Sequence, residues 1–210
     1  MAESPAESLA ESLGVRARQR QETRARLVEC AMGVMAEAGL MQAATAVIAQ
    51  RAGVAHGTVF AHFRTREDLL CAVIEELGAR VTRRLHELSV GNRGLLDLLE
   101  AHVQGLVENE RLYTRLVAER PLIPPRARST LVMIQSVVSF HVGEALEREA
   151  GQGRPRRLPL HLLFNTWLGL LHHYLLHADL FSPGEASVLR QHGPTLVRYF
   201  LALVADERSV

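Results

Sequence analysis

Between Thr45 and Phe63 the chain reads TAVIAQRAGVAHGTVFAHF, and the spacing of its small and apolar residues leaves little freedom in how it folds. Ala49 is small, which lets two helices approach closely. Gly53 follows where a tight turn needs positive φ. Val59 faces inward with Ile48, Val54 and Phe63. Two short helices meeting at such a turn make a helix-turn-helix. His56, Gly57, Thr58, Ala61 and His62 are left facing out from the second helix, whose smooth outer surface fits a major groove about 12 Å wide. An αα-hairpin that only packs has the same spacing, so the neighbouring sequence has to decide between the two.

That neighbourhood is basic. Residues 15–66 hold Arg16, Arg18, Arg20, Arg24, Arg26, Arg51, Arg64 and Arg66 against Glu22, Glu29 and Glu37, in a 210-residue chain of formal net charge +1. A positive block inside a nearly neutral protein points to a polyanion partner. Every basic residue is arginine. The 48% hydrophobic content supplies a core and excludes disorder of the whole chain. Cys30 and Cys71 form no CxxC or finger spacing, which fits a reducing compartment and gives no zinc ribbon. Residues 1–20 start acidic and turn basic without an apolar run, unlike a secretory signal. No phosphate-cradling glycine loop, GxSxG or HExxH is present, so no enzyme chemistry is expected.

Helical periodicity covers nearly everything else, and strand signals are nearly absent, which predicts an all-α fold. Residues 1–20 read as a flexible arm. Helices are predicted near 21–38, 45–52, 56–63, 65–88, 93–109, 110–120, 126–150, 160–180 and from Ser182 to about Ala205. Thr65-Arg66-Glu67-Asp68 resembles a capping box with Asp in place of Glu. Ser182-Pro183 reads as a helix start, and Gly193-Pro194 as an interruption. The segment from Leu158 to Ala178 lacks Asp, Glu and Arg, but His161, Asn165, His172, His173 and His177 favour a buried helix of a bundle over a membrane span. The domains read as an arm at 1–20, a helix-turn-helix domain at 21–66 and a helical domain at 67–210.

Residues 24–77 together resemble the tetracycline-repressor (TetR) family of transcriptional regulators. The matching residues are Ala31, Gly39, Ile48-Ala49, Ala52-Gly53-Val54, Gly57-Thr58-Val59-Phe60 and His62-Phe63-Arg64-Thr65-Arg66-Glu67-Asp68-Leu69. The resemblance implies an N-terminal three-helix DNA-binding domain joined to a helical effector-binding and dimerisation domain. It implies a cytoplasmic repressor, released from a near-palindromic duplex by a small molecule. It also implies a homodimer with no membrane part, whose recognition helices lie about 34–36 Å apart. DNA contacts are expected from Thr45, His56, Gly57, Thr58, Phe60, Ala61, His62, Arg64 and Arg66. There are departures from the family pattern. Ala44 stands where Ser or Thr usually caps the second helix, leaving Thr45 to cap one residue later. Ala55-His56 stands where Ser-Lys is frequent, and Phe60 lacks the hydroxyl of the usual Tyr. The arginines of the arm, with Arg24 and Arg26, either replace the lost phosphate contacts or lie on a solvated tail.

The second half is expected to hold the effector, with His102, Tyr113, Phe140, His141, Asn165 and Trp167 as pocket residues, because pockets are mostly apolar with a few placed polar groups. The helix near 160–180 and the last helix are apolar on nearly all sides, which calls for partners on both sides, one of them a second subunit. No cofactor or metal is expected. Two other readings stay open: a metal-binding all-α sensor or enzyme built on His161, His172, His173 and His177, and a helical adaptor that binds only protein.

Overall fold

The structure, a computed structural model, describes residues 5–89, 94–150, 159–184 and 187–205. Among these residues lie ten α-helices and no β-strand. They are α1 (Pro5–Ala38), α2 (Thr45–Arg51), α3 (His56–His62), α4 (Arg66–Ser89), α5 (Leu95–Val107), α6 (Glu110–Ala118), α7 (Pro125–Ala150), α8 (Leu160–Leu176), α9 (Ala178–Phe181) and α10 (Val188–Val204). The all-α class expected from the sequence is the class observed. The chain forms two compact units, one up to Val73 and one from Ile74 onward. The division falls within α4, about two turns past the 66/67 boundary read from the sequence.

In the first unit α1 begins at Pro5, not at Gln21. The segment expected as a flexible arm is helical from Pro5. Its Ala, Glu, Gln and Arg are strong helix formers, and Pro suits a first helical position. Residues 14–22 of this helix are exposed, whereas Leu27, Ala31, Val34 and Met35 are buried. Gly39, at φ 97°, ends the helix. The core is completed by Ile48 and Ala49 of α2, Val59 of α3, Phe63, and Leu69 and Val73 of α4. Each fully buried Leu, Ile, Val or Phe contributes about 1.5–3 kcal/mol.

The second unit closes its helix ends with carboxylates from distant helices. Glu149 of α7 accepts the backbone N–H of Leu95 at 2.6 Å, at the start of α5. Glu110 of α6 accepts from Val188 N at 2.9 Å, from Leu189 N at 3.2 Å and from the Ser187 hydroxyl, at the start of α10. Negative charge at these N-termini also complements the helix dipole. Ser187, not Ser182, is therefore the cap of the last helix, its Oγ accepting from Arg190 N at 3.1 Å. Ser182 instead ends α9 and donates to Gln191 Oε1 at 2.6 Å. Pro194 does not interrupt α10, which runs through it, and Gly193 allows the close packing there: a Cβ would stand 2.5 Å from Val103 Cγ1.

The face of α8 bearing Leu163, Phe164, Trp167, Leu171 and Leu175 is buried, while Leu162 and Leu176 are about half exposed. On α10, Phe200 is buried while Tyr199 and Leu203 lie in the open. Only α7, among the described residues, is long and apolar enough to cross a membrane, and a single such helix is also what a core helix looks like.

Candidate nucleic-acid interface

The turn between α2 and α3 is built as the spacing requires. Gly53 adopts φ 66°, its N–H meets Gln50 O at 3.1 Å, and Val54 N meets Ala49 O at 3.0 Å. This pair of bonds is a Schellman closure, which needs a residue at positive φ and so favours Gly. Ala49 and Val59 are buried in the angle between the helices.

Thr45 does not cap α2. Its N-cap is Ala44, with no side-chain bond, and Thr45 is the first helical residue. The Thr45 hydroxyl instead lies 2.9 Å from His56 Nε2, tying the first residue of α2 to the first residue of α3. The imidazole of His56 packs edge-on to Phe60 with ring centroids 5.3 Å apart. His56, Gly57, Phe60 and Ala61 are exposed, and Thr58 and His62 partly so. No Asp or Glu occurs between Glu37 and Glu67, so this surface carries no negative side chain of its own. Partial burial, then the positive charges of Arg20 and Arg24, hold the His62 imidazole below its usual range. Arg24 stacks its guanidinium over Phe63, 5.0 Å from the ring centroid.

The arginines of this unit divide by partner. Arg51 forms a two-pronged pair with Glu37, at 2.8 and 2.7 Å, bracing α2 against α1. Arg66, expected near phosphate, donates to the Leu40 carbonyl at 2.6 Å and is half-buried. It thus has a place inside the unit. Arg64 is exposed. The capping box is formed: Asp68 Oδ2 accepts from Thr65 N at 2.9 Å, and Thr65 Oγ1 accepts from Asp68 N at 3.0 Å. It fixes the start of α4 directly after α3.

Of the expected pocket residues, only His102 and Tyr113 line a cavity of about 30 Å³ in the second unit. Its walls are otherwise apolar, among them Leu77, Ile134, Phe164 and Leu168, apart from Gln135. Trp167 is fully buried, packs on Phe200 and donates its indole N–H to His102 Nδ1 at 3.0 Å, so it supports the wall rather than lining it. Phe140 and Asn165 are exposed, and His141 lies at the surface 3.5 Å from Glu144. Gln135 is not among the residues expected from the sequence, which places His172 only in a metal cluster. His172 Nε2 lies 2.9 Å from the Tyr113 hydroxyl, which Gln135 also bonds. Burial, then the charge of His172, lowers the His102 pKa to about 4. Burial, then Arg120, lowers His172 to about 4. Burial pushes Tyr113 up to about 12.

The four-histidine cluster does not assemble. His172 turns inward to Tyr113, while His173 and His177 are exposed with rings 4.6 Å apart. Among the described residues no three His, Cys, Asp or Glu side chains converge as metal ligands would.

Residues 27–73 match the tetR family of bacterial regulatory proteins. The helix-turn-helix-type transcriptional repressor Rv3405c of Mycobacterium tuberculosis is 40% identical over 67 residues, 32% of this chain and 36% of that one. An uncharacterised helix-turn-helix-type regulator of the same organism, Rv2912c, is 34% identical over 108 residues, 48% of this chain and 55% of that one. The chain thus spans about a third to a half of the length of these relatives. A TetR-family regulator from Agrobacterium tumefaciens superposes with a TM-score of 0.72 over 89% of this chain and all of that one, at 19% identity. Residues 27–73 therefore carry the sequence of the tetR family of bacterial regulatory proteins, and the fold of the chain is the one that TetR-family structures share.

Proposed function

We propose that the chain is a transcriptional repressor that binds duplex DNA through α3 and lets go when a small molecule enters the second unit. The observation that carries this reading is the outward surface of α3, free of acidic groups and set on a tightly closed helix-turn-helix. His56, Thr58 and His62 offer hydrogen-bonding groups to base edges, and Phe60 and Ala61 offer apolar contact to thymine methyl groups. Arg64 reaches phosphate. The repressor works in the cytoplasm as a homodimer joined through the open apolar faces of α8 and α10, Leu162 and Leu176 beside Tyr199 and Leu203. Two-fold symmetry then matches a near-palindromic site.

The effector is a neutral molecule with an apolar body and one hydrogen-bond acceptor, such as a carbonyl. His102 Nδ1 accepts a hydrogen bond from the indole N–H of Trp167 and the ring is held neutral, so its own proton sits on Nε2 and is offered to a ligand. Among the described residues no charged side chain lines the cavity. At about 30 Å³ it holds little more than a water, so α7 must shift to admit an effector. Ile134 of α7 is the close neighbour: a Cβ at Gly78 of α4 would stand 2.5 Å from it. Because α4 runs from the first unit into the second, movement there reaches both.

The test is selection of duplexes from random DNA by the purified protein, followed by titration of the winner against a scrambled duplex. Enrichment of an inverted repeat and tighter binding to it support the reading. Equal binding to both duplexes, or none, overturns it.

A further inference from the structure

The exposed part of α1 has two faces of different charge. Counted at about 3.6 residues per turn, Arg18, Glu22 and Arg26 share one face, where the glutamate sits one turn from each arginine. Arg16, Arg20 and Arg24 share another, with no acidic residue among them. Like charges four residues apart disfavour an isolated helix. Arg16 and Arg20 make no ion pair among the described residues.

The direction of the basic face is fixed by the core. Arg16, Arg20 and Arg24 continue, toward the N-terminus, the stripe formed by buried Leu27, Ala31 and Met35. That stripe is the side of α1 turned into its own helical unit. Where the apolar stripe ends, the basic one begins, and Arg24 lies over Phe63, the residue that ends α3. The arginines before it therefore run on from the end of α3 into solvent, on the side of α1 that faces the helix-turn-helix.

We propose that this face is a second DNA-contacting element, in which Arg16 and Arg20 follow the phosphate backbone beyond the bases read by α3. The inference rests on the DNA-binding reading of α3 and adds to it a sequence-independent contact. Successive arginines rise by about 6 Å along the helix, and the duplex carries a phosphate charge every 1.7 Å or so of its axis, so each guanidinium finds its own phosphate. The like-charge repulsion along the face is removed on binding. Phosphate contacts set affinity and register and carry no sequence information.

The experiment compares the full chain with its Arg16→Ala/Arg20→Ala variant on the duplex selected above, by fluorescence anisotropy between 50 and 200 mM salt. Arg24 is left in place because it packs on Phe63. Each lost phosphate contact flattens the plot of log affinity against log salt by about 0.9, so the double variant should flatten it by roughly 1.8 per protomer. The ranking of single-base operator variants should not change. Arg16→Lys/Arg20→Lys should restore the slope, since a point charge suffices for phosphate. A duplex trimmed to the bases under α3 should bind both proteins alike. An unchanged slope and affinity in the alanine variant, with specific binding intact, overturns this proposal and leaves the α3 reading standing. Failure of the unaltered chain to bind any duplex overturns both.

Discussion

The Thr45 hydroxyl meets His56 Nε2 at 2.9 Å, so the first residues of two consecutive helices are held to each other across the turn that joins them. The contact fixes the rotation of the imidazole that opens the outward face of α3. A residue that reads bases must be held in one orientation before DNA arrives, or its ordering subtracts from affinity. Thr45→Val keeps the shape and removes the bond. An exposed hydrogen bond of this kind is worth about 0.5–1 kcal/mol. Operator affinity should fall about two- to fivefold in anisotropy titrations, with the thermal midpoint nearly unmoved.

Thr58 and Arg64 should separate base reading from charge. Thr58→Ala should relax preference at one base position, worth about 1–3 kcal/mol of discrimination. Arg64→Ala should weaken binding to every duplex alike and flatten the salt dependence by about 0.9. Affinities on a panel of single-base operator variants at two salt concentrations distinguish the two patterns. If both variants bind as the parent does, the reading surface lies elsewhere.

Arg66 should behave as a structural residue. Its guanidinium donates to the Leu40 carbonyl at 2.6 Å, joining the start of α4 to the loop after α1. Arg66→Ala leaves that carbonyl without its partner and should cost about 1–3 kcal/mol of stability. Urea unfolding followed by circular dichroism should show the midpoint falling. The salt slope of operator binding by the folded variant should stay as it was.

Acid should loosen the second unit. His102 and His172 have folded pKa values near 4, below the ordinary value of 6.5 in the unfolded chain. The unfolded state therefore binds more protons between those limits, and stability rises with pH across them. It is fully present above about pH 6.5 and is lost progressively toward pH 4, by about 3 kcal/mol for His102 alone. His102→Leu should flatten thermal midpoints measured from pH 7.5 to 4.5. A parent protein equally stable at pH 7 and pH 5 would contradict the buried, neutral assignment.

Effector release should follow the chemistry of the cavity. Neutral apolar compounds bearing a carbonyl should displace DNA, and cationic dyes should not. His102→Leu, which removes the donor offered to the ligand, should raise the effector concentration needed by roughly 5–30-fold, as loss of one hydrogen bond of about 1–2 kcal/mol requires. Operator affinity without effector should be unchanged.

The helix-turn-helix was legible because it depends on spacing. Ala49, Gly53 and Val59 admit few other packings, and Thr65 with Asp68 announces the start of α4. Thr45 was misjudged because a threonine beside a helix start has the composition of a cap, while its partner lies eleven residues on, across a turn. Arg66 was read as a surface charge because sequence does not show which carbonyl a guanidinium reaches. In the second unit, counting histidines grouped His172 with His173, although neighbours on a helix point about 100° apart. One turned to Tyr113, the other to solvent. Phe140 and Trp167, both expected in the pocket, lie one in the open and one in the core, because periodicity finds an apolar face but does not say whether it meets core or water.

The carboxylate of Glu110 closes the N-terminus of α10 across 78 residues of chain, from Glu110 to Val188. During synthesis at about 5–20 residues per second, roughly 4–16 s pass before its partner amide exists. Throughout that interval the face of α5 that α10 will cover stays uncovered, and so does that of α8, with Trp167, once it has been made. The unit ending at Val73 meets no such delay, since its helices are complete long before. Translation therefore delivers the two halves in sequence, and the first can close while the second still lacks its last helix.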